Sequence, residues 1–257
     1  MWSSSNLKGT VTCINLYERE DRYEHIQSFA SRYDIPIKFH RVHKHPISGL
    51  QGCFESHIEV IKESYNRGDE YCIIFEDDIE ATEYLTVDNL NKVHDFISSN
   101  PDWDLFYLGY LPYYINTKVK RYNKDIIQLR AVTTHAYIIS RRFMKLIKDF
   151  EPRDIHYDIF LCNSTSKCYA LRYPLFNQGD YDTDNISVNY CNLGRKLLRW
   201  FLTVYMDYIN LSVIDWFIII LPIFFTLIII ITWVFPYRFT YLGILMIIIS
   251  MMIILLG

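Results

Sequence analysis

The chain has 257 residues, enough for one sizeable α/β domain and an appendage. Its 26 Lys and Arg against 29 Asp and Glu give a formal net charge of −3, which offers no basic surface for nucleic acid and sets that class aside. The charge is unevenly spread: from Val213 onward only Asp215 and Arg238 carry any, so a mixed polar part is followed by an apolar tail.

Strand and helix patterns alternate through the polar part. Residues 11–16 read as a strand; Tyr23, Ile26, Ala30 and Tyr33 then recur at helical spacing until Pro36. Residues 37–42 alternate as a second strand. Gly52-Cys53-Phe54-Glu55-Ser56-His57 opens a helix whose apolar face is Phe54, Ile58, Ile61 and Tyr65, and Gly68 stops it. A strand at 71–75, a helix at 90–99, and strands at 105–109 and 136–140 follow. Phe143, Leu146, Ile147 and Phe150 mark another helix, and 168–173 a last strand. This order predicts an α/β fold, a mainly parallel sheet with flanking helices, which binds ligands at the C-terminal edges of its strands.

Glu76-Asp77-Asp78 ends the apolar run 72–75. Three adjacent carboxylates repel one another, a cost accepted where a cation or a basic partner neutralises them. Side chains at i and i+2 of a strand share a side, so Glu76 and Asp78 are expected to form an oxygen clamp for Mg²⁺ or Mn²⁺ while Asp77 faces elsewhere. The alternative is a strand running into an acidic surface loop.

Several short words accompany the triplet in order. They are Ile14-Asn15-Leu16 with Arg19 and Arg22, Gly52-Cys53 with Ser56-His57, Thr134-His135-Ala136-Tyr137, Tyr157-Asp158, and Pro174 through Gln178 with Ser187. Together they resemble glycosyltransferase family 25 over roughly residues 8–190. The resemblance implies a GT-A-like fold and a Mn²⁺-dependent, inverting transfer of a hexose, galactose or glucose first, from a UDP-sugar to a hydroxyl of a glycan or protein acceptor. It implies Glu76 and Asp78 as metal acids and Asp77 as a contact to sugar or ribose hydroxyls. Asn15, Arg19, Arg22, Ser56, His57 and Gln178 become donor-binding residues. A divalent cation held by carboxylates would offset the charge of a departing nucleoside diphosphate. Inverting transfer needs a base for the acceptor hydroxyl, assigned to Asp158 with Asp154 as the alternative.

Bland readings stand beside these. Arg19 and Arg22 fit solvated positions of the first helix, and Asp158 fits the cap of a helix beginning at Ile159. His135 fits a satisfied core histidine as well as a neighbour of the metal site. Ser56 and His57 are expected where a helix N-terminus presents free N–H groups to an anion. Tyr107, Tyr110, Tyr113 and Tyr114 form either a sugar-stacking wall or packing. Asp180, Asp182 and Asp184 imitate the start of a calcium loop, but Asn185 and Cys191 stand where glycine and glutamate are required. Cysteines 13, 53, 72, 162, 168 and 191 lack metal-site spacing and are expected to be free thiols in a reducing compartment.

Residues 216–235 and 241–256 are two apolar runs separated by 236–240, read as a transmembrane hairpin or at least one transmembrane helix. The organisation expected is a catalytic domain at 1–192, a basic juxtamembrane segment at 193–212 and the membrane segment at 213–257. Arg195, Lys196 and Arg199 ahead of the first run, and no apolar leader in residues 1–6, place the large domain on the cytosolic side. A catalytically inactive glycosyltransferase-like membrane scaffold is the competing reading. A metal-dependent phosphoesterase is less favoured, because the acids form one dense cluster rather than dispersed ligands.

Overall fold

The computed structural model describes residues 1–7, 9–112, 119–151 and 154–179. A short 3₁₀ turn, Trp2–Ser4, precedes β1 (Val11–Leu16), α1 (Glu20–Tyr33), β2 (Ile37–Val42), α2 (Gly49–Arg67) and β3 (Tyr71–Glu76). Next come β4 (Ile79–Ala81), α3 (Val87–Ser99), β5 (Leu105–Pro112), β6 (Lys120–Arg121), β7 (Ile126–Gln128) and β8 (Ala131–Ser140). The described residues end with α4 (Arg141–Ile147), α5 (Tyr157–Ser164), β9 (Cys168–Leu171) and β10 (Phe176–Gln178).

Local chemistry sets the ends of the helices. The side chains of Ser48, Thr86 and Ser140 accept from the amides of Gln51, Asn89 and Phe143, capping α2, α3 and α4. α1 closes on Asp34 and α2 on Gly68, both left-handed, at φ 57° and 93°.

Eight strands form one sheet in the order β2-β1-β3-β8-β5-β9-β7-β6. β2, β1 and β3 are mutually parallel, and β5 pairs with β9 in parallel. β8 is antiparallel to both β3 and β5, and β7 to both β9 and β6. Following these pairings, only β8 and β7 run against the other six strands, so the sheet is mainly parallel in direction. A separate antiparallel ribbon joins β10 to β4, with Gln178 opposite Ile79.

The centre of the sheet is buried. Ile73, Ile74 and Phe75 of β3 and Ala136 through Ile139 of β8 are inaccessible, the near-continuous apolar run of strands covered on both faces. Phe176 packs on Phe75 with ring centroids 4.9 Å apart, which ties the small ribbon to the core beside the acidic triplet.

Several expected boundaries move. β8 starts at Ala131, five residues before the expected 136, because Thr133 to His135 bulge within a strand that the alternation argument could not follow. α4 ends at Ile147 and does not reach Phe150. β4, β6, β7 and β10 are two or three residues long, too short to show a period. The expected juxtamembrane and membrane segments lie outside the described residues. Among the described residues no helix is long and apolar enough to cross a membrane.

Candidate active site

The C-terminal ends of β1, β2 and β3 lie side by side, and a cavity opens there. β1 supplies Ile14, Asn15 and Leu16, β2 leads into His43, Lys44 and His45, and β3 supplies Glu76 followed by Asp77 and Asp78. Arg22 enters from α1, Gly49, Gly52, Cys53, Ser56 and His57 from α2, and Gln178 from β10. The fold therefore brings together Glu76, Asp77, Asp78, Asn15, Arg22, Ser56, His57 and Gln178. Arg19 and Asp158 are not part of the lining.

β3 ends at Glu76, and Asp77 and Asp78 form the turn into β4. The two-residue alternation stops there, so the expectation that Asp77 faces away from the other two acids is corrected. All three line the cavity. Asp77 accepts from Asn15 Nδ2 and from Arg22 Nη1, each at 2.8 Å. Asp78 accepts from Gln178 Nε2 at 2.9 Å and lies 3.9 Å from Arg22 Nη1. Glu76 accepts from Thr134 Oγ1 at 2.8 Å and sits 3.4 Å from His57 Nε2. Arg22 is buried, not solvated: its guanidinium is the counter-charge that makes the acidic turn foldable.

Burial pushes the Asp78 carboxyl up to about 7, with the Glu76 charge adding to it and Gln178 and Arg22 opposing it. Burial also acts to raise Glu76, but the hydrogen bond and charge of His57, joined by His135 and Thr134, hold that group below its ordinary value. Asp78 Oδ1 and Asn15 Oδ1 are buried acceptors without a hydrogen-bond partner. Unpartnered buried oxygens are costly, and these two belong to residues that line the cavity, Asp78 being one of its three carboxylates. An all-oxygen donor set of this kind fits a hard divalent cation. Among the described residues no group of three or more His, Cys, Asp or Glu is arranged to hold a metal alone. A cation held by one or two carboxylates would complete its shell with phosphate oxygens and water, the usual Mg²⁺ arrangement.

α2 supplies another part of the wall. It begins at Gly49, three residues before the expected opening at Gly52, because Ser48 is the cap. Ser56 and His57 consequently lie two turns into the helix and offer no free backbone N–H to an anion, which corrects that expectation. Ser56 Oγ donates back to the Gly52 carbonyl at 2.7 Å. His57 is 1% exposed and spans from Glu76 to the Tyr137 hydroxyl, 3.0 Å from Nδ1. Its ring stacks on Tyr157 at 4.2 Å, and the Tyr137 and Tyr157 hydroxyls meet at 3.1 Å. At Gly52 a Cβ would come 2.6 Å from His45 Cβ, so glycine lets the loop after β2 close onto the helix. Burial raises the Cys53 thiol, and the charges of Glu76 and Asp158 raise it further, which makes it a poor nucleophile.

Sequence reasoning missed His43, Lys44 and His45, and gave Thr134 no role of its own although it stands in one of the family words. The basic word His43-Lys44-His45 follows a strand at the same sheet edge as the acids, and that placement was its available signal. Arg19 directs its guanidinium at Asp21 over 2.8 and 3.0 Å rather than into the cavity. Asp158 lies in the first turn of α5, which starts at Tyr157 with His156 as cap, so a cap for a helix starting at Ile159 is corrected too. One Asp158 oxygen accepts from the Thr133 amide at 3.1 Å and the other from the Ile159 amide at 2.8 Å. Asp154 is exposed and accepts from Ser48 Oγ. His135 is buried with Nε2 3.3 Å from the Phe176 carbonyl. Tyr107 and Tyr110 are buried and donate to the carbonyls of Ala131 and Arg172, so they pack rather than form a sugar wall. Tyr113, Tyr114 and the 180–184 loop lie outside the described residues.

Known proteins give this geometry a context. Residues 40–161 match the model of glycosyltransferase family 25 (LPS biosynthesis protein). Procollagen galactosyltransferase 1-A of Xenopus laevis is 30% identical over 174 residues, covering 55% of this chain and 28% of the relative. Procollagen galactosyltransferase 1-B of the same organism is 28% identical over 128 residues, covering 38% and 21%. The chain thus spans less than a third of the curated relatives it matches. Among solved structures, a glycosyltransferase involved in glycosylation of the major capsid of PBCV-1 aligns at TM-score 0.35 and 10% identity, covering 59% of this chain and 73% of that one. A Drosophila β-1,4-galactosyltransferase 7 in complex with manganese, UDP-Gal and xylobiose aligns at 0.38 and 9%, covering 74% and 80%. The family match and the curated relatives mark the chain as glycosyltransferase-like.

Proposed function

We propose that this chain is a membrane-anchored glycosyltransferase that moves a hexose, galactose or glucose first, from a UDP-sugar to a hydroxyl of a glycan or protein acceptor. The observation that carries the reading is the buried, unpartnered Asp78 Oδ1 in a cavity shared with Glu76, Asp77 and Arg22 at the ends of three parallel strands. Such strand ends are where open α/β sheets bind their ligands. Asp78 and Glu76 would hold Mn²⁺ or Mg²⁺, which when bound supplies charge stabilisation to the departing diphosphate. Arg22 holds Asp77 in place, and Gln178 fixes the other oxygen of Asp78, which leaves Oδ1 as the oxygen without a protein partner. Asn15 Oδ1 is free to accept a hydroxyl or N–H of the donor, because its Nδ2 is committed to Asp77 and the Arg19 carbonyl. Lys44 and the two flanking histidines line the same cavity as the acids and suit the phosphates. We assign inversion at the transferred carbon as the stereochemical outcome. The test is a panel of UDP-galactose, UDP-glucose and UDP-N-acetylglucosamine, scored for UDP release with Mn²⁺ and with chelator, and for the anomer formed. Cation-dependent release with one hexose favoured supports the reading, and release indifferent to cation counts against it.

The apolar segment 213–257 is proposed as the anchor and the cytosol as the side of the domain. The full chain should resist carbonate extraction from membranes, and protease added to the cytosolic face of sealed vesicles should digest the domain. Protection of the domain, or glycosylation at either of the sequons Asn163-Ser164-Thr165 and Asn185-Ile186-Ser187, would place it in a lumen instead.

A further inference from the structure

Thr133 stands out in β8. Its φ is 73°, in the left-handed region, and the only other non-glycine residue like it among the described residues is Asp34, which closes α1. A β-branched residue is strained in that conformation, and strain persists where surrounding contacts impose it. Thr133 does not hold itself there, since its own buried hydroxyl has no partner. Its amide is held instead by Asp158 Oδ2 at 3.1 Å, reaching across from α5.

The strain has a geometric product. Along β5 the partner of Gly109 is Ala136 and that of Leu111 is Val132, so two steps of β5 face four steps of β8. Thr133, Thr134 and His135 are the bulge, and a bulge re-aims the side chains it carries. Thr134 thereby points its hydroxyl at Glu76 Oε1 from 2.8 Å, and the next residue, His135, enters the space left by the missing side chain of Gly109. Asp158 itself is outside the cavity lining and spends both oxygens on backbone amides.

We infer that Asp158 is a positioning residue: its carboxylate holds the Thr133 amide in the strained bulge, and the bulge aims the Thr134 hydroxyl to orient Glu76. The inference rests on the proposed transfer reaction only in taking Glu76 as part of the active site. The role requires an acceptor oxygen at position 158 and no proton transfer there.

Four variants of the full chain test it: Asp158→Asn, Asp158→Ala, Thr133→Gly, and Asp158→Ala with Thr133→Gly. Asparagine keeps one acceptor oxygen, which in the place of Oδ2 still serves the Thr133 amide and forfeits only the bond to Ile159. Asp158→Asn should therefore retain kcat within about threefold, whereas loss of a general base would cost about 10²–10⁴. Asp158→Ala should lower kcat at least about tenfold with donor KM little changed, since Glu76 would lose orientation rather than the donor a contact. Glycine adopts φ 73° without strain, so adding Thr133→Gly to Asp158→Ala should restore kcat to within about threefold. A collapse of activity in Asp158→Asn, or no restoration by Thr133→Gly, overturns the inference. Hydrogen exchange over residues 131–137 gives a readout independent of turnover. Asp158→Ala should speed exchange there and Asp158→Asn should not, and equal protection in all variants contradicts the role. If the wild-type chain consumes no UDP-sugar, the transfer reading fails while the exchange data still decide the positioning role.

Discussion

Arg22 reaches from α1 to donate to Asp77 across 2.8 Å, and both partners are buried in the cavity wall. The pair converts three repelling carboxylates at a strand end into a folded turn, because Arg22 is the only arginine in the lining of the cavity among the described residues. Removing one partner of a buried ion pair leaves the other without compensation.

Arg22→Met should therefore destabilise the chain by about 3–5 kcal/mol. Pairing it with Asp77→Asn should recover most of that loss, since the uncompensated charge is then gone. Urea denaturation of the two variants beside the wild type measures both effects. Additive losses in the double variant would show that the two side chains do not act as a pair.

The Asp78 carboxyl supplies a pH dependence. Its ordinary value is 3.8, and burial with the neighbouring Glu76 charge raises it to about 7 in the folded chain. Between those values the folded chain keeps a proton that the unfolded chain has released. Stability from this group is thus present below pH 3.8 and lost as the pH rises through about 7. With chelator present, the advantage of Asp78→Asn over wild type should grow across that window and level off above it. A difference that stays flat with pH would remove the raised Asp78 from the account.

Gly109 tests the packing behind the site. A Cβ there would meet His135 Nε2 at 2.1 Å and the Phe176 carbonyl oxygen at 2.6 Å, and the backbone oxygen has little room to retreat. Gly109→Ala should cost about 1–3 kcal/mol, measured by thermal or urea unfolding. An unchanged midpoint would mean that β5, β8 and β10 are less closely apposed than described.

Much of the site was legible in the chain itself. An apolar run ending in Glu76 placed the acids at a strand edge, and alternation of strands with helices placed that edge beside Asn15 and the start of α1. What escaped was geometry that depends on partners distant in sequence. The side Asp77 faces is set by Arg22, 55 residues away, and not by strand periodicity that ends at Glu76. Gly52 reads as the helix opening in the sequence, but Ser48 is the α2 cap, which puts Ser56 and His57 away from the N-terminus. The bulge at Thr133 leaves no trace in hydrophobic pattern, so the reach of Asp158 to its amide could not be foreseen. Tyr107 and Tyr110 read as a sugar wall or, more often in so tyrosine-rich a domain, as packing, and their hydroxyls on backbone carbonyls agree with packing.

The most direct measurement is UDP release by the full chain from UDP-galactose and UDP-glucose, with Mn²⁺, with chelator, and in Asp78→Ala. Charge stabilisation of a leaving diphosphate is worth several kcal/mol, so chelation or loss of Asp78 should each lower the rate by at least about 10²-fold. The two losses should not multiply, because they remove the same interaction. Release that persists at the wild-type rate in chelator, or in Asp78→Ala, would contradict the assignment of this carboxylate cavity as a cation-assisted donor site.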